Sequence, residues 1–383
     1  MVQAIIRVCR AALDRLAETG CYTRFNFGEA SVGYYCDEAE TLTWLRRFFA
    51  GYFASSMLAS THAWIYTTQD ADLLATLQTY CEDMSCTEVG QELDARCVLA
   101  RDASGTCYFL LPQERKLLLV SQNQEVCHEQ SLRAVRSMMR WLLIERGWLP
   151  FQSACCSKNG QAICLTGSGR VMQVLLNLLA RSACDLVSND RLLLYDKGNE
   201  VLVCGLPGSF DLRMETLRSF PQVLQWLESA PSTFFPRASA TSIRQLVEER
   251  GSPAESAVSA ESVPLLASEL TALFGVAIEP LAQLKFFLRV DSSEQPEAML
   301  HPLPEAHTGL LEQYPRLADQ SESYMSHFFT VDDEMLQERL DSLLTRHAAH
   351  VPVYALHLNG HVDEASTALI VTALKEGGPP RES

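Results

Sequence analysis

Apolar residues recur at helical spacing from the start of the chain. Residues 2–18 read as an amphipathic helix interrupted by Arg7, Arg10, Asp14 and Arg15. The period shortens to strand length over 31–36 and returns to helical over 38–53. There Trp44, Leu45, Phe48, Phe49 and Phe53 share one face and Asp37 is placed to cap the first turn. Residues 62–68 form a short strand-like run, and 95–122 read as a meander with turns at 102–105 and 112–115.

A second unit is expected from a helix over 131–148, followed by a strand (149–157), a turn at Lys158-Asn159-Gly160, a strand (161–167) and a helix (171–181). Short apolar strands around one central helix predict a mixed α/β core, an α+β class fold. Residues 231–263 are rich in Ser, Ala, Pro and Glu and read as a surface loop or flexible insertion. Beyond them the pattern predicts a helix (264–275), a strand (281–290), helices near 305–314 and 334–347, and a strand over 351–360. The tail from 375 is expected to be disordered. The implied division is an α+β unit over 1–127 and a larger domain over 128–383. The larger domain has its core at 149–221 and C-terminal embellishment over 264–375.

Composition narrows the function. The chain has 383 residues, 47% hydrophobic, with a formal net charge of −16. An acidic surface without a basic run argues against nucleic acid or an anionic membrane as the main partner. The longest apolar stretches, 174–180 and 138–144, are too short or too charged to cross a bilayer, so a cytoplasmic chain is expected. The 13 cysteines all lie between Cys9 and Cys204 without a C-x-x-C pair. Reduced, mostly buried thiols and no metal site are therefore expected, although Cys81/Cys86, Cys127-His128 and Cys155-Cys156 come nearest to one.

One stretch carries chemistry. Leu165-Thr166-Gly167-Ser168-Gly169-Arg170 ends a strand and opens a Leu-rich helix, as a phosphate-binding loop does. Such a loop wraps phosphates with backbone N–H groups, adds a lysine for charge and a Ser/Thr for Mg²⁺. The downstream order is Leu175–Leu179, then Ser188-Asn189-Asp190-Arg191, Gly205-Leu206-Pro207, and Thr216-Leu217 before Pro221. Over 149–221 this succession resembles the HPr kinase-like family, whose core is related to phosphoenolpyruvate carboxykinase. The relatives carrying "SNDR" at this point are the nearest in pattern. The resemblance implies a P-loop kinase core, a bacterial source, ATP and Mg²⁺ at the loop, and Asp190 as catalytic base or metal ligand. Gly167, Ser168, Gly169, Arg170 and Asn189 would border the nucleotide.

The departures from that pattern are specific. Val171 stands where the family lysine falls and Met172 where the Ser/Thr falls, and both read as core-facing. The loop is shorter, Gln152 replaces a frequent histidine, and Asn189 replaces the first acid of a pair. Arg170 restores positive charge, but a planar guanidinium does not imitate a lysine reaching from within the loop. Arg191 and Arg213 read as surface or ion-paired arginines.

Other residues read as structural. His347 and His350 suit a helix end. His357 and His361 flank a turn without an acidic partner. Trp44, Trp141, Trp148 and Trp226 sit at core spacing, and no G-x-S-x-G or H-E-x-x-H is present. Three expectations follow. The first is an HPr kinase-like protein without phosphotransfer, a pseudokinase that binds a protein partner and needs no cofactor. The second is an active kinase of a protein or small hydroxyl or amine substrate. The third is a loop turned to another anion. A second copy of the chain is a further partner the sequence allows.

Overall fold

The computed structural model describes residues 2–55, 60–167, 170–181, 183–229, 262–292, 298–303, 307–315, 323–329, 332–358 and 364–376. They form a mixed α+β structure in two units, residues 1–149 with 315–339 and residues 150–314 with 340–383.

In the first unit α1 (Val2–Thr19) precedes a hairpin of β1 (Cys21–Phe27) and β2 (Ala30–Cys36), followed by α2 (Ala39–Phe48). Then come β3 (Ala54–Ser55), β4 (Ala63–Thr68), α3 (Ala71–Asp83), β5 (Gln91–Asp94), β6 (Cys97–Arg101), β7 (Cys107–Leu111) and β8 (Lys116–Val120). The long α4 (Gln124–Glu145) closes this run. The sheet order is β3-β1-β2-β4-β8-β7-β6-β5, with β2, β4 and β8 parallel and the other pairs antiparallel. α1 and α3 bury Leu13, Leu16, Leu74 and Leu77 with Phe109, Leu118 and Val120 of the sheet.

Two helix starts differ from the sequence expectation. Asp37 does not cap α2; its carboxylate accepts from the Thr68 hydroxyl at 2.5 Å and the Gln69 N–H at 3.2 Å. α4 begins earlier than residue 131, because the Asn123 side chain accepts from Val126 N–H at 3.0 Å and caps it there. The expected boundary at 127/128 therefore lies inside α4.

The second unit starts with β9 (Leu149–Gln152), β10 (Ala154–Lys158), β11 (Gln161–Gly167) and α5 (Val171–Ala180). It continues with β12 (Asp185–Ser188), β13 (Arg191–Asp196), β14 (Val201–Gly205), β15 (Phe210–Arg213), α6 (Met214–Ser219) and α7 (Pro221–Ser229). After the insertion come β16 (Ser262–Leu265), α8 (Ala267–Phe274), β17 (Leu281–Ser292) and β18 (Met299–Pro302). The last elements are α9 (Asp333–His347), which belongs to this unit from Leu340 onward, β19 (Val353–Leu358) and α10 (Glu364–Glu376). Of the Ser/Pro-rich insertion only Ser262 and Val263 lie within the described residues, where β16 pairs with β15; the tail beyond Glu376 lies outside them.

The main sheet runs β12-β10-β11-β17-β14-β13-β9, with β19 on the second half of β17 and β18 beside β19. β12 and β13 stand five places apart, about 24 Å in a flat sheet. Only Asn189 and Asp190 join them, and three Cα steps span at most about 11 Å. The sheet is therefore rolled. Residues of the strand approach to β17 complete the roll: Leu186 N–H donates to Ala277 O at 2.9 Å, and Glu279 N–H to Leu186 O at 2.8 Å. Among the described residues no helix is long and apolar enough to cross a membrane.

Candidate functional site

β11 is fully buried from Ala162 to Leu165 and ends on Gly167, whose φ is +111°. Parallel β17 passes so close that a Cβ at this position would meet the Val290 carbonyl oxygen at 2.4 Å. Glycine is thus demanded by the neighbouring backbone whatever the loop binds. Ser168 and Gly169 lie outside the described residues.

Arg170 stands at the entrance of α5, half-buried, and its Nη1 donates to the Leu358 carbonyl oxygen at 3.2 Å, at the end of β19. Val171 and Met172, expected to face the core, are only half-buried. The core face of α5 is carried by Val174, Leu175, Leu176, Leu178 and Leu179. The helix axis turns the apolar stripe one residue beyond the first turn. That first turn offers no lysine, no hydroxyl and no side-chain cap.

The link between β12 and β13 forms the other half of the site. Asn189 is buried and its Nδ2 donates to Ser209 O at 2.6 Å. Ser188 Oγ donates to Arg191 O at 2.6 Å, and Leu206 N–H to the same oxygen at 3.0 Å. Asp190 accepts at its backbone oxygen from Ser153 N–H at 2.8 Å, while its side chain stays 49% exposed. Its carboxylate takes a hydrogen bond from Gln152 Nε2 at 3.3 Å and lies 3.6 Å from Arg191 Nε. Asp211 stands in its field. Desolvation first, and the charge of Asp190 after it, raise the Asp211 carboxyl above its ordinary range against a hydrogen bond from Ser209.

Ser153 joins the two halves. Its N–H holds Asp190 O, and its Oγ donates to Leu165 O at 2.9 Å, two residues before Gly167. The fold thus brings Gln152, Asn189 and Asp190 to the same end of the rolled sheet as Gly167. It does not pair Arg170 with Asp190, because the guanidinium turns toward β19. Arg213 is exposed. Ser153 and Asp211 escaped the sequence reading: nothing in a lone serine between two strands marks it as a corner, and Asp211 reads as the outward residue of an alternating strand.

Elsewhere in this unit His347 is buried, and its Nε2 lies 3.2 Å from Asp196 Oδ1, beside an ion pair between Arg346 and Asp196. It ties the helix end to β13. A cavity of about 240 Å³ is lined by Lys158, Asn159, Gln161 and Leu374, at the hairpin end of β11 opposite Gly167. Among the described residues no three His, Cys, Asp or Glu side chains are grouped to hold a metal.

No family model matches the chain, and no curated protein matches it. Among solved structures, the Hpr(Ser) kinase/phosphatase from Coxiella burnetii is a distant neighbour. It is 10% identical over 59% of this chain and 88% of that one, with a TM-score of 0.26.

Proposed function

We propose that the chain is an HPr kinase-like scaffold that does not transfer phosphate and acts as a binding or regulatory subunit for a protein partner. The observation that carries this reading is the first turn of α5. Val171 and Met172 occupy the positions of the charge-bearing and metal-binding residues, and Arg170, the cation at the helix entrance, already serves Leu358. Phosphoryl transfer depends almost wholly on positioned charge, so losing a lysine and a metal ligand together removes its main source of rate. The other motif residues have structural tasks. Gly167 admits β17, and Asn189 and Asp190 turn the corner of the rolled sheet. The net charge of −16 favours a partner with a basic surface.

A specific observation supports the alternative, an active ATP- and Mg²⁺-dependent kinase of a protein or small hydroxyl or amine substrate. Asp190 keeps an exposed carboxylate beside Gln152 and near Asp211, where a base or metal ligand would stand. Release of ADP from Mg-ATP by the purified chain separates the two. The proposal expects no release above a protein-free blank. Sustained release that disappears in Asp190→Asn would show phosphoryl transfer from ATP to water at this site and overturn the proposal.

A further inference from the structure

At the far side of β17, two histidines that are distant in sequence face one another. β18 and β19 are antiparallel with Met299 opposite His357 and His301 opposite Ala355, so His301 and His357 are diagonal neighbours on one face. Both are half-buried, with ring centroids 4.6 Å apart and planes within 10°. Their Nε2 atoms approach to 3.3 Å.

That approach holds at most one proton. With one ring donating and the other accepting, the neutral pair forms a single N–H···N hydrogen bond. Two imidazolium rings at this distance would repel. A divalent transition ion satisfies both lone pairs. Two nitrogens bound at about 2.0–2.1 Å to a tetrahedral ion stand about 3.3–3.4 Å apart. The observed Nε2–Nε2 distance of 3.3 Å matches that separation.

The surroundings fit a site with exchangeable ligands. Asp291 lies in register with His357 on the parallel neighbour β17, but its carboxylate is taken by Arg289 Nε at 2.8 Å. No third His, Cys, Asp or Glu joins the pair among the described residues, so a bound ion would keep water in its remaining positions. We propose that His301 and His357 form a two-imidazole site for a divalent transition metal ion at the open end of β19. The site stands next to Leu358, the residue that Arg170 holds. It does not depend on the pseudokinase reading.

Ni²⁺ is the discriminating probe, because imidazole suits it while the softer thiolates favour Zn²⁺ and Cu⁺. Calorimetric titration of the full, reduced chain at pH 7.5 is expected to show one Ni²⁺ per chain. His301→Asn and His357→Asn, each with the parent's circular dichroism and melting temperature, are expected to weaken binding at least about tenfold. In the unaltered chain, substoichiometric Ni²⁺ should broaden the imidazole NMR signals of two of the nine histidines first. Absence of binding at millimolar Ni²⁺ overturns the proposal. So does equal affinity in both variants, or broadening that spares this pair.

Discussion

Gly160 and Gly167 bracket β11, and both have positive φ, +75° and +111°. Their surroundings separate them. A Cβ at Gly160 would meet only Glu279 Oε1 at 4.0 Å, whereas one at Gly167 would lie 2.4 Å from Val290 O. Gly160→Ala is expected to cost about 1 kcal/mol, the left-handed penalty alone. Gly167→Ala adds a backbone collision and should cost about 3 kcal/mol or more. Urea unfolding of the two variants tests the order, and equal losses would show that β17 does not press on Gly167. The special character of Gly167 was legible in the sequence. Its cause was not, because the local pattern marks Val290's strand, β17, but not its pairing beside β11. The cysteines followed the reading from composition more closely: they are free, and burial pushes the Cys36 thiol up to about 12 and that of Cys204 well above its ordinary value.

Helix starts show where local pattern ends and capping chemistry begins. Asp70 caps α3, its Oδ1 accepting from Leu73 N–H at 3.0 Å and its Oδ2 pairing with Arg15 at 2.8 Å. The Leu73 N–H first, and Arg15 second, hold this carboxyl below its ordinary range. A depressed folded pKa means stability that is present above the unfolded value near 4 and lost as pH falls through the folded one. Asp70→Ala should therefore destabilise by about 1 kcal/mol at pH 7, with the gap to the parent closing below about pH 4. Denaturant unfolding across that range checks it, and a gap that persisted at pH 2 would contradict the assignment. Apolar period placed β4, β11, β17 and α5 but passed over α3 and β18. It put the cap of α2 at Asp37, but the Thr68 hydroxyl takes that carboxylate and the helix starts after Glu38 without a side-chain cap. Nor did it see that Ser153 breaks residues 149–157 into β9 and β10, since the break is made by bonds to Asp190 and Leu165. The His301–His357 pair was invisible for the same reason: the register of β18 on β19 exists only in the folded sheet.

Taken together, Gly167, Arg170, Asn189 and Asp190 each have a contact within the scaffold. One glycine admits a strand, one arginine ties a helix start to β19, and one Asn-Asp step closes a rolled sheet. Under the proposed function, the acidic balance of the chain would meet a partner with a basic surface. Calorimetric titration with ATP, with and without Mg²⁺, tests this account most directly. No binding at millimolar nucleotide is the predicted result. Micromolar, Mg²⁺-dependent binding that is lost in Asp190→Ala would contradict it and restore a working kinase site.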